Sequence, residues 1–195
     1  MLVEIFDRME LCTDAEVARL LPLVSAQRRE EALRYVHTHG RYCCLKSYTM
    51  LLELIGAVSP TLDYTCPEFA FNEHGKPGIP GREDLQFSIS HTKNAIAVAL
   101  SGEPVGIDIE QIKPASEALI AKTMNAAEQQ TIAASARPDA AFIALWTRKE
   151  AVLKLLGTGI QDDLHHVLDN EKMFRIETHI NLRAGYAWSV ASKEE

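Results

Sequence analysis

Three strand-like runs follow one another between residues 85 and 109, with helical patterns banked before and after them. Residues 85–89 and 95–101 alternate with period two, and Val105, Ile107 and Ile109 share one face of a third run over 105–109. A short strand over residues 2–6 and a closing hairpin, 174–180 with 186–190, complete the set. Helices and strands that come in blocks, without strict alternation, specify an α+β fold with mainly antiparallel sheet. The second half loosely echoes the first in element order, without a sequence repeat.

The helices carry their own punctuation. Thr13 and Glu16 have capping-box spacing for a helix running toward Leu21, which Pro22 ends. Ser25 is the expected N-cap of a second helix through about His37. Gly40 is expected to break the pattern, and residues 41–55 to form a third helix with Gly56 after it. The stretch 59–84 is rich in Pro and Gly and reads as loop with one short strand. Helical patterns return at 116–124 and at 125–136, where Asn125 and Glu128 have capping-box spacing. Pro138-Asp139 then opens a long helix that Gly157 stops.

Bulk properties narrow the class of partner. The 195 residues suffice for one large domain or two small ones. A formal charge of −7 and the lack of a long basic run argue against nucleic acid. A small anionic ligand needs only a few local cations. Cys12, Cys43, Cys44 and Cys66 show neither metal spacing nor a disulfide framework, and read as reduced thiols of a cytoplasmic protein. No signal peptide or membrane-spanning stretch is expected.

Two segments bear the chemistry. In Gly106-Ile107-Asp108-Ile109-Glu110, strand geometry puts Asp108 and Glu110 on one face, opposite Ile107 and Ile109. Two carboxylates about 7 Å apart repel, so the pair is either a solvated sheet face or a cation site. In Trp146-Thr147-Arg148-Lys149-Glu150-Ala151-Val152-Leu153-Lys154, helical spacing places Phe142, Leu145, Trp146, Leu153 and Leu156 on an apolar arc, with Lys149 near its middle. Glu150 and Lys154, four apart at its edge, suit a surface ion pair. Lys149 either snorkels to the rim or reaches a buried anion. Gly75-Lys76-Pro77 is a rigid turn offering one lysine, without the glycine-rich nest of a P-loop. Ser90-His91 ends a strand, where it grips phosphate or belongs to a turn. A Ser-His-Asp hydrolase is excluded, because adjacent strand residues point apart and no nucleophile elbow is present. His165-His166 has no zinc spacing and reads as surface. Three acids with two lysines point to a divalent metal and a phosphate.

Taken in order, Gly75-Lys76-Pro77 with Phe87-Ser88-Ile89-Ser90-His91-Thr92, then Gly106-Ile107-Asp108-Ile109-Glu110, then Trp146-x-x-Lys149-Glu150-Ala151-x-x-Lys154, resemble the Sfp-type 4′-phosphopantetheinyl transferases. The resemblance implies transfer of phosphopantetheine from coenzyme A to a serine of an apo acyl or peptidyl carrier protein, releasing adenosine 3′,5′-bisphosphate. It implies Mg²⁺ (or Mn²⁺) on Asp108, Glu110 and Glu150, with Glu150 also accepting the serine proton. Lys149 and Lys154 would pair with the pyrophosphate, and Lys154 would protonate the leaving group. Lys76, Ser90 and His91 would bind the nucleotide end, with Arg28 facing its 3′-phosphate and Arg41 and Lys46 as helpers. Ser88 and Thr92 stand where Asn and Ser are common, and Glu31 replaces a position often basic. Residues 111–127 would meet the carrier, although Ile112, Ala115, Leu119, Ile120 and Met124 equally suit a core.

Family analogy also implies a monomer of two similar halves, a pseudo-dimer with residues 1–104 in one half, 105–195 in the other and coenzyme A between them. A relative that binds coenzyme A or a carrier without chemistry is the alternative, but such a chain would be expected to have lost Glu150 or Lys154. A stand-alone Mg²⁺ phosphohydrolase lacks its usual nucleophiles here.

Overall fold

The computed structural model describes residues 1–59, 67–159 and 163–194. Its elements are β1 (Leu2–Phe6), α1 (Asp14–Leu20), α2 (Ala26–Arg34), α3 (Thr38–Val58), β2 (Ala70–Phe71), β3 (Pro77–Gly78), β4 (Gln86–His91), β5 (Ile96–Ser101), β6 (Val105–Gln111), α4 (Glu117–Thr123), α5 (Ala126–Ala134), α6 (Pro138–Leu156), β7 (Phe174–Asn181) and β8 (Tyr186–Lys193). The fold is α+β. One three-stranded sheet has the order β1-β5-β4, a second β6-β8-β7, and β2 pairs with β3. Every one of these pairings is antiparallel.

β5 explains how the two larger sheets meet. Its bulky residues Ile96, Val98 and Leu100 face a core built on Tyr42, Leu45, Tyr48 and Leu51 of α3. Its alternate residues Ala97 and Ala99 face Val105, Ile107 and Ile109 of β6. Period-two alternation thus separates large from small residues, both buried, and the alanines let the second sheet approach closely. β4 lies beside β6, and side chains join them: Ile107 N–H donates to Ser88 Oγ at 3.0 Å and Ile109 N–H to Ser90 Oγ at 3.3 Å. α6 covers the other side of β6. A Cβ on Gly106 would stand 2.0 Å from Ala151 O and 2.3 Å from Leu155 N, so only glycine allows this helix–strand contact.

The cap signals hold for Thr13, Ser25 and Asn125, each accepting a backbone N–H three residues on, and Ser116, not read as a cap, does the same for α4. Asn125 and Glu128 complete a reciprocal box. Glu16 instead pairs with Arg19, so the first box is half made. Gly157 caps α6 with φ +68°.

Five expectations are corrected. α3 does not stop before Gly56 but runs through it to Val58. α2 ends at Arg34, short of His37. α3 runs through Gly40, because the Tyr35 ring lies where a Cβ at residue 40 would be, 2.5 Å from Cδ1. Leu156 leaves the apolar arc and is exposed. His165 is fastened, not structureless: its backbone O accepts from Asn125 Nδ2 at 3.3 Å and its ring lies 3.0 Å from Ala121 O. Cys12, Cys43 and Cys44 are free thiols, while Cys66 lies outside the described residues. Among the described residues no helix is long and apolar enough to cross a membrane.

Candidate active site

The close approach at Gly106 brings the two chemistry-bearing segments together. Asp108, on β6 between the fully buried Ile107 and Ile109, is only 3% exposed, which removes the solvated-face reading. Its Oδ1 accepts from Lys154 Nζ at 2.7 Å and from Ser90 Oγ at 2.8 Å. Its Oδ2 is buried with no hydrogen-bond partner among the described residues, and so is Oε1 of Glu150, one turn before Lys154 on α6. Glu110, two residues along the same face of β6, is half-buried.

Electrostatics follow from that packing. Burial pushes the Glu150 carboxyl above its ordinary value; the Asp108 charge adds to this and Lys154 opposes it. Burial also raises Glu110, again with Asp108 next, while Lys113 and Lys154 pull it back. Two acids held above the usual range beside a third, with two orphaned oxygens, suit a hard divalent cation. Among the described residues no three His, Cys, Asp or Glu side chains are already spaced to hold an ion. That is compatible with Mg²⁺, which commonly takes one or two carboxylates and completes its shell with water and substrate phosphate.

A cleft of about 390 Å³ opens beside the acids. His74, Lys76 and Pro77 form one wall, Phe87, Ser88 and Ile89 of β4 another, and Glu150, Leu153 and Lys154 of α6 a third. The turn carrying Lys76 is clamped to the end of α6. Lys76 Nζ donates to Leu155 O at 3.0 Å and Val105 O at 3.3 Å, and Asn72 Nδ2 donates to Gly157 O at 3.0 Å. A lysine on the terminal carbonyls of a helix suits the helix dipole. Burial lowers its pKa.

The other expected residues are placed less simply. His91 is solvent-accessible at the end of β4, yet its packed surroundings, then the charges of His39 and Lys154, hold its pKa below the ordinary histidine value. Ser90 engages Asp108. Lys149 is 1% exposed and turns away from the cleft: its Nζ donates to Glu128 Oε2 at 2.7 Å, Leu164 O at 2.8 Å and Thr123 O at 2.9 Å. All three of its N–H donors are thereby used. Arg28 stacks over Tyr48 and Phe69 and pairs with Glu31 at 2.8 Å, so its charge is balanced within its own helix. Arg41 Nε donates to Tyr35 O, and Lys46 stands over the Phe6 ring. Met124 is fully buried, with Ile112, Ala115 and Ile120 packed nearby, while Leu119 is exposed.

Two residues escaped the sequence reading. Asn72 sits in a Pro/Gly-rich stretch, where its Oδ1 accepts from the N–H groups of His74 and Lys76. Its only signal was that of an ordinary turn residue. Glu128 had its capping spacing as a sufficient explanation, which concealed the buried lysine behind it.

Comparison with known proteins agrees with this arrangement. Residues 104–194, which carry β6 and α6, match the family model described as the 4′-phosphopantetheinyl transferase superfamily. A 4′-phosphopantetheinyl transferase of Bacillus subtilis is 33% identical over 148 residues, covering 74% of this chain and 65% of the relative. Over these residues the chain is similar to members of this superfamily. The transferase Sfp of Bacillus subtilis strain 168 is 29% identical over 147 residues, with the same coverage. AcpT of Salmonella typhi is 39% identical over 97 residues, 47% of this chain and 50% of the relative. The chain thus spans somewhat less than two thirds of the length of the Bacillus superfamily members it matches.

Proposed function

We propose that this protein transfers the 4′-phosphopantetheine group of coenzyme A to a serine hydroxyl of an apo acyl or peptidyl carrier protein. The observation that carries the reading is the meeting of Asp108, Glu150 and Lys154 beside a cleft, with two carboxylate oxygens buried and unpartnered. The names of the related proteins supply the reaction class. In this reading residues 1–104 and 105–195 are two halves of a cytoplasmic monomer, with coenzyme A between them.

Asp108, Glu110 and Glu150 would hold Mg²⁺ or Mn²⁺. Bound there, the ion would supply positive charge to the pyrophosphate oxygens, where phosphoryl-type transfers gain most. Glu150, raised by burial, is suited to accept the proton of the attacking serine. The new bond joins serine oxygen to the pantetheine-bearing phosphorus. The bond that breaks releases adenosine 3′,5′-bisphosphate, whose developing charge Lys154 meets. Lys76, which lines the cleft, and His91 would bind the nucleotide end. Lys149 is left out of direct phosphate contact, since its ammonium is satisfied internally, whereas Arg28, paired with Glu31 but with a buried Nε that no acceptor meets among the described residues, would keep its place facing the 3′-phosphate.

The test is intact-mass analysis of apo acyl and peptidyl carrier proteins incubated with the protein, coenzyme A and Mg²⁺. A mass gain of one phosphopantetheine, lost with chelator and in a folded Asp108→Ala variant, is expected. Normal turnover by Asp108→Ala would sink the metal assignment. No gain on any carrier, with coenzyme A still bound, would leave a binding protein in place of the enzyme.

A further inference from the structure

The two oxygens of Asp108 are treated differently. Oδ1 accepts two hydrogen bonds, from Lys154 Nζ and Ser90 Oγ, while Oδ2, which is buried, accepts none among the described residues. Ser90 is itself 8% exposed, and its single O–H donor is committed: it donates to Asp108 Oδ1, while the oxygen accepts from Ile109 N–H, the residue after Asp108. It thus grips the side chain of Asp108 and the backbone just beyond it.

We propose that Ser90 is a positioning residue that fixes the rotation of the Asp108 carboxylate, so that Oδ2 is presented to the divalent cation. This deepens the metal reading above and rests on it. Nucleotide binding, the role implied by resemblance, would need a hydroxyl that the structure finds already engaged. A carboxylate in a buried site turns unless something holds it, and partners that orient ligands commonly set metal affinity and activity by about 10- to 100-fold. Lys154 alone does not suffice, because a single long, flexible ammonium restrains distance better than rotation.

Ser88 provides an internal control. Its hydroxyl accepts from Ile107 N–H, the same β4-to-β6 contact that Ser90 makes to Ile109, yet it has no bond to Asp108. The experiment is a Mn²⁺ titration of the full chain, without coenzyme A, followed by electron paramagnetic resonance, with steady-state kinetics alongside. Ser90→Ala is expected to weaken Mn²⁺ binding by about 10-fold or more and to lower kcat with KM for coenzyme A unchanged. Ser90→Thr, which keeps the hydroxyl, should restore most of both, and Ser88→Ala should leave Mn²⁺ affinity as in wild type. Equal weakening by Ser88→Ala and Ser90→Ala would overturn the inference, because the strand junction alone would then matter. Unchanged Mn²⁺ affinity in Ser90→Ala with a raised KM for coenzyme A would also overturn it, in favour of nucleotide contact. If wild type takes up no Mn²⁺, or Asp108→Asn takes up as much as wild type, the metal reading itself fails, and the inference with it.

Discussion

Gly106→Ala tests whether the site depends on how closely α6 approaches β6. The added methyl would lie 2.0 Å from Ala151 O, 2.3 Å from Leu155 N and 3.0 Å from Leu155 Cα, all backbone atoms of a helix packed on both sides. Restoring ordinary contact at about 3.5 Å requires helix and strand to separate by more than about 1 Å. Overpacking of this kind costs about 1–3 kcal/mol, and the rigidity of the obstructing backbone puts this case at or beyond the upper end. For a chain of this size, 3 kcal/mol corresponds to a fall in Tm of roughly 6–12 °C. The same separation stretches the 2.7 Å Lys154–Asp108 bond beyond hydrogen-bonding range, and a misplacement of about 1 Å can cost about 100-fold in rate. Calorimetry and the carrier mass-shift assay together read both effects. A Gly106→Ala protein within 2 °C of the wild-type Tm (roughly a 1 kcal/mol change at most) and with normal turnover would refute the argument that this contact builds the site.

Lys149→Met is expected to reduce stability by about 3–5 kcal/mol, because Glu128 would stay buried without its cation and two backbone carbonyls would lose their donor. Urea denaturation measures this, and Lys149→Met with Glu128→Gln should recover part of it; a stable Lys149→Met with a raised KM for coenzyme A would instead return Lys149 to the phosphate. His91 should titrate below the ordinary histidine value of 6.5, read from its ring protons by NMR. Since the folded state then binds fewer protons than the unfolded chain, His91 is neutral to stability above 6.5 and destabilising as pH falls through the folded value. Its solvent exposure keeps that effect small, and a midpoint at or above 6.5 would contradict the packing around it.

The parts of the molecule that were legible in the sequence are those whose cause is local. Period-two alternation located β4, β5 and β6, a capping residue marked three helix starts, and the shared face of Asp108 and Glu110 follows from strand geometry alone. What was not legible depends on partners far along the chain. Nothing near Lys149 announces Glu128, which lies 21 residues earlier and already had a role as a cap. Nothing near Ser90 announces Asp108, 18 residues on, because the two strands belong to different sheets. Gly40 misled for the opposite reason: glycine is usually read as a break, whereas here its missing side chain makes room for Tyr35 inside a continuing helix.

The fate of the lysines shows how the site's charge is left unbalanced. Lys76 and Lys149 are chemically available in the sequence, yet both ammonium groups are taken up by carbonyls or a buried carboxylate of the protein itself. Among the described residues only Lys154 bonds to one of the three acids through a cationic side chain, and it bonds to one oxygen of Asp108. Lys113 acts on Glu110 from the exposed surface. Asp108, Glu110 and Glu150 therefore stand near one close ammonium, and the raised pKa values of Glu110 and Glu150 come first from burial, with the Asp108 charge adding to it. Protonating one of them can relieve part of the repulsion, at the loss of a base. A divalent cation would match the remaining two charges and leave Glu150 ionised, which is the protonation state a proton acceptor requires. Charge balance and catalytic role thus demand the same arrangement, and the unpartnered oxygens of Asp108 and Glu150 are where it would be met.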